Sequence, residues 1–220
     1  MLTLYIGNKN YSSWSLRAWV LMKAFGIAFH EQRITLYEAD SPERIRVHSP
    51  SGRLPCLHDG STIVWDTLSI AEYLAERHPG MWPADAGTRA WARSAAAEMH
   101  SGYSGLRNEF GMNLRIREKR KPSSAVATDI ARIAALWREG RSRFGQGGDF
   151  LCGAFGIVDA FYCPVAYRFA SYGVALDDVP AAYHQALLAL PAMREWAAGA
   201  SRETEHIPML DRSIAQAQQQ

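Results

Sequence analysis

The chain has 220 residues, of which 48% are apolar and 21% charged, with a formal net charge of +2. This composition is typical of a globular protein with room for one large or two small domains. No stretch approaches the roughly 20 apolar residues of a membrane helix, the N-terminus lacks a signal-peptide pattern, and the small net charge gives no indication of nucleic-acid binding, so we expect a cytoplasmic protein.

The first 80 residues predict the element order β-α-β-α-β-β-α. The segments are, in chain order, "LTLYIG", "SWSLRAWVLMKAFG", "FHEQRITL", "SPERIRVH", the hairpin "LPCLHDGSTIVW" and "TLSIAEYLAERH". Asp59-Gly60 predicts a type I′ turn in the hairpin. A strand–helix–strand unit gives a parallel pair, and the hairpin adds an antiparallel pair. We therefore predict a small mixed sheet with helices on its faces, over residues 1–80.

A Pro- and Gly-rich stretch, "PGMWPADAGT", interrupts all periodicity, and we predict a linker at residues 81–87. Residues 88–212 show helical spacing throughout and predict an all-α bundle. Its helices are expected at about 89–110, 123–144, 157–171, 180–189 and 191–199. Residues 213–220 form a glutamine-rich end that we predict to be a flexible tail.

Three serines, Ser12, Ser13 and Ser15, crowd the start of the first predicted helix. Such a helix end presents unpaired N–H groups and a positive partial charge. A serine there is commonly an N-cap. It could also donate a hydrogen bond to a thiolate, and the residue pattern leaves both readings open.

Two further motifs in this half are local signals of the same kind. Leu54-Pro55 opens the third strand, with Arg53 before it, and Asp66-Thr67 precedes the last helix. Each has a plain reading, as a strand-start proline, an exposed arginine or a helix cap. Each could also bind a ligand. A helix N-terminus with a carboxylate beside it, as at Asp66-Thr67, can hold an amino acid head group.

Taken together and in this order, the motifs "YSSWSLRAW", "SPSGRLPCL" and "DTLSIAEYLAERHP" resemble the N-terminal domain of the glutathione transferase family. "GIVDAFYCPVAYRF" in the helical half resembles the family's capping-box motif, with Gly156 in place of the usual Ser or Thr. The resemblance covers roughly residues 2–200. It implies an α/β thioredoxin-like N-terminal domain that binds glutathione as co-substrate, followed by an all-α C-terminal domain, with no metal.

The resemblance also implies roles for single residues. Leu54 would pair its backbone with the cysteinyl part of glutathione, and Pro55 would be cis. Asp66 and Thr67 would hold the γ-glutamyl group, and Arg53 would lie near the glycine carboxylate. A hydroxyl of the serine cluster would face the sulfur, so that the thiolate attacks a small electrophile bound between the domains.

The choice of serine follows from a second resemblance. "SSWSLR" resembles the Ser-Ser-Cys-x-Trp-Arg signature of the zeta class, whose first serine contacts the thiol, which favours Ser12 with Ser13 as competitor. Trp14 stands where that signature has cysteine, and this departure counts against zeta isomerase and thioltransferase chemistry. Tyr11 is the remaining alternative donor. The residues that we expect to line the substrate pocket are Tyr11, Trp14, Met99 and Tyr103.

The family resemblance implies a homodimer, and detoxification as the general role. His100, in "AEMHSGYSGLR", is a possible proton donor, but a lone histidine on a helix is more often structural. Two other functions stay open: a zeta-like isomerase acting on maleylacetoacetate, and a non-catalytic glutathione-binding or assembly module.

Overall fold

The computed structural model describes residues 1–208, 210 and 211, so the predicted tail at 213–220 lies outside the described residues. The first half contains β1 (Leu2–Ile6), α1 (Ser13–Ala24), β2 (Phe29–Arg33), α2 (Ser41–His48), β3 (Cys56–Asp59), β4 (Thr62–Trp65) and α3 (Thr67–Ala75). The predicted order β-α-β-α-β-β-α is confirmed.

The four strands form one mixed sheet in the order β2-β1-β3-β4. β1 pairs in parallel with β2 through the α1 crossover, and antiparallel with β3. β3 and β4 form the predicted hairpin, with Asp59 opposite Thr62. β3 begins at Cys56, directly after Pro55, and pairs there with Trp65, directly before Asp66, so the hairpin brings the two loops of the site described below together.

The hairpin turn differs in type from the prediction. Its two central residues are Gly60 and Ser61, because Asp59 already pairs with Thr62. Among these turn residues only Gly60 has a positive φ, of 58°. A type I′ turn needs positive φ at both central positions, whereas type II′ needs it at the first alone. The turn therefore follows the type II′ pattern.

The second half is helical, as predicted. It contains α4 (Ala86–Ser101), α5 (Ser104–Glu109), α6 (Ser124–Phe144), α7 (Ile157–Tyr172), α8 (Asp178–Ala189) and α9 (Pro191–Arg202). Within the part of the chain that the structure describes, no helix has the length and apolar character needed to cross a membrane.

The helix predicted at 89–110 is interrupted, and Arg107 supplies the physical reason. Tyr103 takes a left-handed backbone, φ 59°, between α4 and α5. The Arg107 guanidinium folds back and donates to the carbonyls of Met99, His100 and Gly102. These carbonyls lack partners within α4, so the arginine caps the helix end.

The first residues of the predicted linker pack against the helical half, whereas residues 84–87 are exposed and α4 already begins at Ala86. Met81 is buried, and its carbonyl accepts a hydrogen bond from Ile157 N, at the start of α7. A Cβ on Gly156 would lie 2.8 Å from the same Met81 oxygen. The close approach explains why glycine occupies a position where a hydroxyl residue would otherwise cap the helix.

Helix α1 lies at the centre of the molecule. Buried side chains cover its whole circumference, including Leu16, Trp19 and Val20. It packs against α3 on the sheet side and against α7 and α9 on the helical side. One continuous apolar core therefore joins the two halves.

Asp159 organises the start of α7 from a fully buried position. One carboxylate oxygen accepts from Gly156 N at 2.9 Å, and the other accepts from Leu151 N at 3.0 Å and from the Tyr183 hydroxyl at 2.8 Å. Three donors thus converge on one carboxylate. This is the side-chain half of a capping box, since glycine at the N-cap has no side chain.

We expect Asp159→Asn to lower the free energy of unfolding by about 2 kcal/mol at neutral pH, because the amide NH2 would face a donor and leave a buried N–H unpaired. Chemical denaturation of both proteins measures this change. Asp149→Asn is the control, since that residue is exposed and precedes the same turn. An Asp159→Asn protein as stable as the wild type would contradict this role.

The same carboxyl should make stability depend on pH. Burial raises the pKa of Asp159 to about 6, above its ordinary value in an unfolded chain, about 3.9. The folded state therefore binds the proton more tightly, and this contribution to stability is complete below about pH 4 and is lost as pH rises through 6. Denaturation curves between pH 4 and 7 should show this decline in the wild type and not in Asp159→Asn.

Candidate functional site

A cavity of about 500 Å³ opens on the N-terminal half, beside the start of α1. Its wall comes from α1, the loop between α2 and β3, the end of β4 and the start of α3. The lining residues are Trp14, Ser51, Arg53, Leu54, Pro55, Trp65, Asp66 and Thr67. This volume lies within the range of small-molecule sites.

The structure brings together the five residues that the sequence motifs suggested for ligand binding: Arg53, Leu54, Pro55, Asp66 and Thr67. The Leu54–Pro55 peptide bond is cis. Among the described residues, no hydrogen bond uses the backbone N–H or C=O of Leu54. These two groups are therefore available to pair with a peptide-like ligand at the cavity wall.

Asp66 combines a capping role with an exposed carboxylate. Its Oδ1 accepts from Leu68 N at 2.9 Å, which caps α3. Its backbone has φ 72°, a value that few non-glycine residues adopt and that tends to mark functional sites. The adjacent Thr67 hydroxyl is buried and has no hydrogen-bond partner in the described part of the chain. A carboxylate and an unpaired hydroxyl thus occupy adjacent residues at the N-terminus of α3.

The serine cluster is mostly engaged in local structure. Ser12 caps α1, accepting from Ser15 N at 3.3 Å and donating to Ser15 Oγ at 2.7 Å. Ser15 Oγ also accepts from Gly7 N, which ties the helix to β1. Ser13 Oγ accepts from the Arg168 guanidinium at 3.2 Å, and its own hydrogen enters no hydrogen bond within the described residues. Neither Ser12 nor Ser13 belongs to the cavity lining, and of these two only Ser13 keeps its hydroxyl hydrogen out of a hydrogen bond within the described residues.

Trp14 is the residue of the α1 N-terminus that forms the cavity wall. The guanidinium groups of Arg17 and Arg107 both lie over its indole ring, with Cζ 4.5 Å and 5.0 Å from the ring centroid. The His100 ring meets the Trp14 indole edge-on at 5.2 Å. His100 thereby connects the helical half to this wall.

His100 also approaches the Asp66 carboxylate, with Nε2 3.6 Å from Oδ2. Burial lowers the pKa of His100, and the charges of Arg17 and Arg107 lower it further, against the opposite effect of Asp66. The imidazole is therefore neutral at neutral pH, and the contact is not an ion pair. The Asp66 charge remains available to a cationic ligand group.

Three residues assigned to the substrate pocket do not line this cavity. Met99 is in the core, and Tyr103 is buried with its hydroxyl donating to Glu98 Oε1 at 2.6 Å. Tyr11 is also buried, and its hydroxyl donates to the Asp211 carboxylate at 3.0 Å. The physical reason is the packing of α4 and of the C-terminal segment, which turns these side chains inward. Of the four residues expected in the substrate pocket, Trp14 lines this cavity.

Sequence reasoning missed Ser51 and Trp65, and it matched Arg17 to the zeta-class signature without predicting its burial or a role for it. Ser51 carried no signal beyond its place in a turn. Trp65 directly precedes Asp66, and its 44% exposure is unusual for a tryptophan. The sequence signal for the burial of Arg17 was its position among apolar residues of the helix.

The fold is of one class: a thioredoxin-like α/β unit followed by a helical bundle, here with a cavity at the starts of α1 and α3. Residues 11–77 match the family model described as glutathione S-transferase, N-terminal domain. The N-terminal part of the chain is thus similar to the N-terminal domain of glutathione S-transferases.

Similar proteins and structures extend this likeness over most of the chain. A "Probable maleylacetoacetate isomerase" of Caenorhabditis elegans is 21% identical over 184 residues, which cover 80% of this chain and 83% of that protein. A glutathione transferase homologue from Burkholderia gl BGR1, solved with bound glutathione, has a TM-score of 0.68 at 21% identity, covering 92% of this chain and 98% of that one. Holo maleyl pyruvate isomerase, a bacterial zeta-class protein, has a TM-score of 0.70 at 19% identity, covering 92% and 100%.

Proposed function

We propose that this protein is a glutathione transferase that ionises the thiol of glutathione for attack on a small electrophile. The observation that carries the proposal is the cavity, whose wall joins an unpaired peptide backbone, an exposed carboxylate at a helix N-terminus and an arginine. These groups match the three parts of a γ-glutamyl tripeptide. Glutathione is the co-substrate in this proposal, and no metal takes part.

Each part of the ligand has a partner of suitable chemistry. The Leu54 N–H and C=O pair with the cysteinyl backbone, next to Pro55. The Asp66 carboxylate receives the γ-glutamyl ammonium, while the Thr67 amide and hydroxyl receive its carboxylate. Arg53, exposed at the opposite end of the wall, meets the glycine carboxylate.

The sulfur then lies toward the α1 N-terminus, near Trp14. A free thiol of pKa about 8.5 is only a few per cent ionised at neutral pH. A hydroxyl donor contributes roughly 1.5–3 kcal/mol toward the thiolate, and the helix N-terminus adds roughly 0.3–1 kcal/mol. Ser13 is the better donor because its hydrogen is free, whereas the hydrogen of Ser12 is used on Ser15 Oγ.

Calorimetric titration with glutathione, combined with an ultraviolet pH titration of the bound thiol, tests this function. We expect binding and a thiolate signal near neutral pH. Formation of a thioether from glutathione and a chlorodinitrobenzene tests the transferase reaction itself. Absence of glutathione binding would contradict the proposal and favour the assembly-module reading.

A zeta-like glutathione-dependent isomerase is the second candidate, because similarity to the Caenorhabditis elegans protein covers most of both chains. Trp14 in place of the signature cysteine is the departure that weighs against it. Isomerisation of maleylacetoacetate that requires glutathione would establish this narrower function. Thioether formation without isomerisation would support the broader one.

Three further properties are part of the proposal: a homodimer, a cytoplasmic location and a detoxification role. The edge strand β4 bears the exposed side chains of Ile63 and Trp65, which suit a contact with a second copy. Light scattering of the purified chain measures the oligomeric state. A monomer at micromolar concentration would contradict the dimer.

A further inference from the structure

Arg17 is a buried cation without a hydrogen-bond partner in the described residues. It is 1% exposed, and its Nε, Nη1 and Nη2 atoms are all buried and unpaired. Its guanidinium lies between two aromatic rings, 4.5 Å from the Trp14 centroid and 4.9 Å from the Phe161 centroid. Five N–H donors are thus buried without an acceptor among the described residues.

The surroundings of Arg17 destabilise a positive charge at this position. Burial holds the pKa of Arg17 well below its usual range, and the charges of Arg107 and Arg168 lower it further. Arginine nevertheless stays protonated in proteins. The charged or titratable groups that interact with it are Arg107 on α5, Arg168, Tyr162 and Cys163 on α7, Asp66 at the start of α3 and His100 on α4.

Arg107 and Arg168 differ from Arg17 in having backbone carbonyls to bind. Arg107 caps α4, and Arg168 donates to Phe110 O and to Ser13 Oγ. An apolar side chain of similar length would fill the space between Trp14 and Phe161 without an electrostatic cost. Packing alone therefore does not account for a guanidinium at position 17.

The position of Arg17 relative to the cavity indicates what its charge can act on. Trp14 and Arg17 are three residues apart on α1, so their side chains are neighbours, and the Arg17 side chain points back toward the helix N-terminus. An anion held against Trp14 would lie near the helix N-terminus and near two guanidinium groups over that indole, the unpaired one of Arg17 and that of Arg107, whose Cζ is 5.0 Å from the ring centroid. Asp66, the counter-charge nearest the cavity, is engaged by the ligand ammonium in the proposed function.

We propose that Arg17 is a positioning residue whose buried charge stabilises the thiolate of glutathione bound against Trp14. This inference rests on the proposed function and names the group that completes it. In the step concerned, the S–H bond ionises, the electron pair stays on sulfur and the proton leaves to solvent. The cation balances the charge that develops on sulfur without accepting the proton.

The experiment compares Arg17→Met and Arg17→Gln, which remove the charge, with Arg17→Lys, which keeps it. Lys23→Met is the matched control, because it removes a positive charge from the far end of the same helix. Two quantities are measured: the thiol pKa of bound glutathione by ultraviolet pH titration, and the Kd of S-methylglutathione, which has no ionisable thiol. Thermal denaturation identifies the folded variants.

We expect the thiol pKa to rise by about one unit in the two neutral variants and to stay near the wild-type value in Arg17→Lys and Lys23→Met. The Kd of S-methylglutathione should stay within about twofold throughout. Should Arg17→Met not fold, Arg17→Gln against Arg17→Lys gives the same comparison. A folded neutral variant with an unchanged thiol pKa would overturn the inference, as would equal losses for both ligands. If the wild type binds no glutathione, the proposed function itself fails.

Discussion

Replacing Ser13 with alanine should raise the thiol pKa of bound glutathione by about one to two units, and Ser12→Ala should leave it unchanged. The reason is the use of each hydroxyl hydrogen, which Ser12 gives to Ser15 Oγ and Ser13 keeps. One hydrogen bond to a charged acceptor is worth roughly 1.5–3 kcal/mol, so the transferase rate at neutral pH should fall roughly 10- to 100-fold. The ultraviolet titration and steady-state kinetics measure both effects.

Ser12→Ala is the matched control, because it lies one residue away and removes a cap instead of a donor. It should lower the free energy of unfolding by about 1 kcal/mol, the usual value for an N-cap. The opposite pattern, with the thiol pKa changed in Ser12→Ala alone, would return the donor role to Ser12. No change of thiol pKa in either variant would leave the whole cluster as a helix cap.

Replacing Asp66 with asparagine should weaken glutathione binding roughly 10- to 100-fold, the range expected for losing one charge-assisted hydrogen bond. Asparagine can accept the Leu68 N–H and tolerates positive φ, so the cap of α3 is retained. The substitution therefore removes the charge while keeping the local structure. Calorimetry gives the two dissociation constants.

Two controls isolate the ammonium contact. Asp85→Asn alters a similar N-cap, at the start of α4, where the carboxylate accepts from Thr88 N at 2.7 Å outside the cavity. A ligand with glutaryl in place of γ-glutamyl lacks only the amino group, and its affinity should be equal for wild type and Asp66→Asn. An equal loss for both ligands would mean that Asp66 acts through the structure of α3 and not through the ammonium.

The sequence predicted those parts of the fold that depend on local signals. Leu54-Pro55 and Asp66-Thr67 were found because a strand-start proline and a helix cap are recognised within a few residues, and the sheet then brought them to one cavity. The hairpin was also predictable from a local signal, the Asp59-Gly60 dipeptide. Its turn type was not, because the strand register places Gly60 first in the loop.

Side-chain direction in the helical half was not predictable in the same way. Met99 and Tyr103 have the spacing of a pocket-lining helix face, but the face is chosen by how α4 packs on α7. The break in the predicted helix after Ser101 depends on Arg107 folding back onto α4, and no local sequence pattern indicates this contact. The burial of Arg17 was missed because an arginine on a helix is usually exposed, and this burial follows from the packing of α7 against α1.

The central position of α1 has a consequence for biosynthesis. A chain made from its N-terminus completes α1 and the sheet long before α7, which begins at Ile157, or α9 leaves the ribosome. Until then the face of α1 that these helices cover must remain exposed to water or be shielded by a chaperone. The nascent N-terminal half is therefore an aggregation-prone intermediate, and translation speed through the helical half should influence the yield of folded protein.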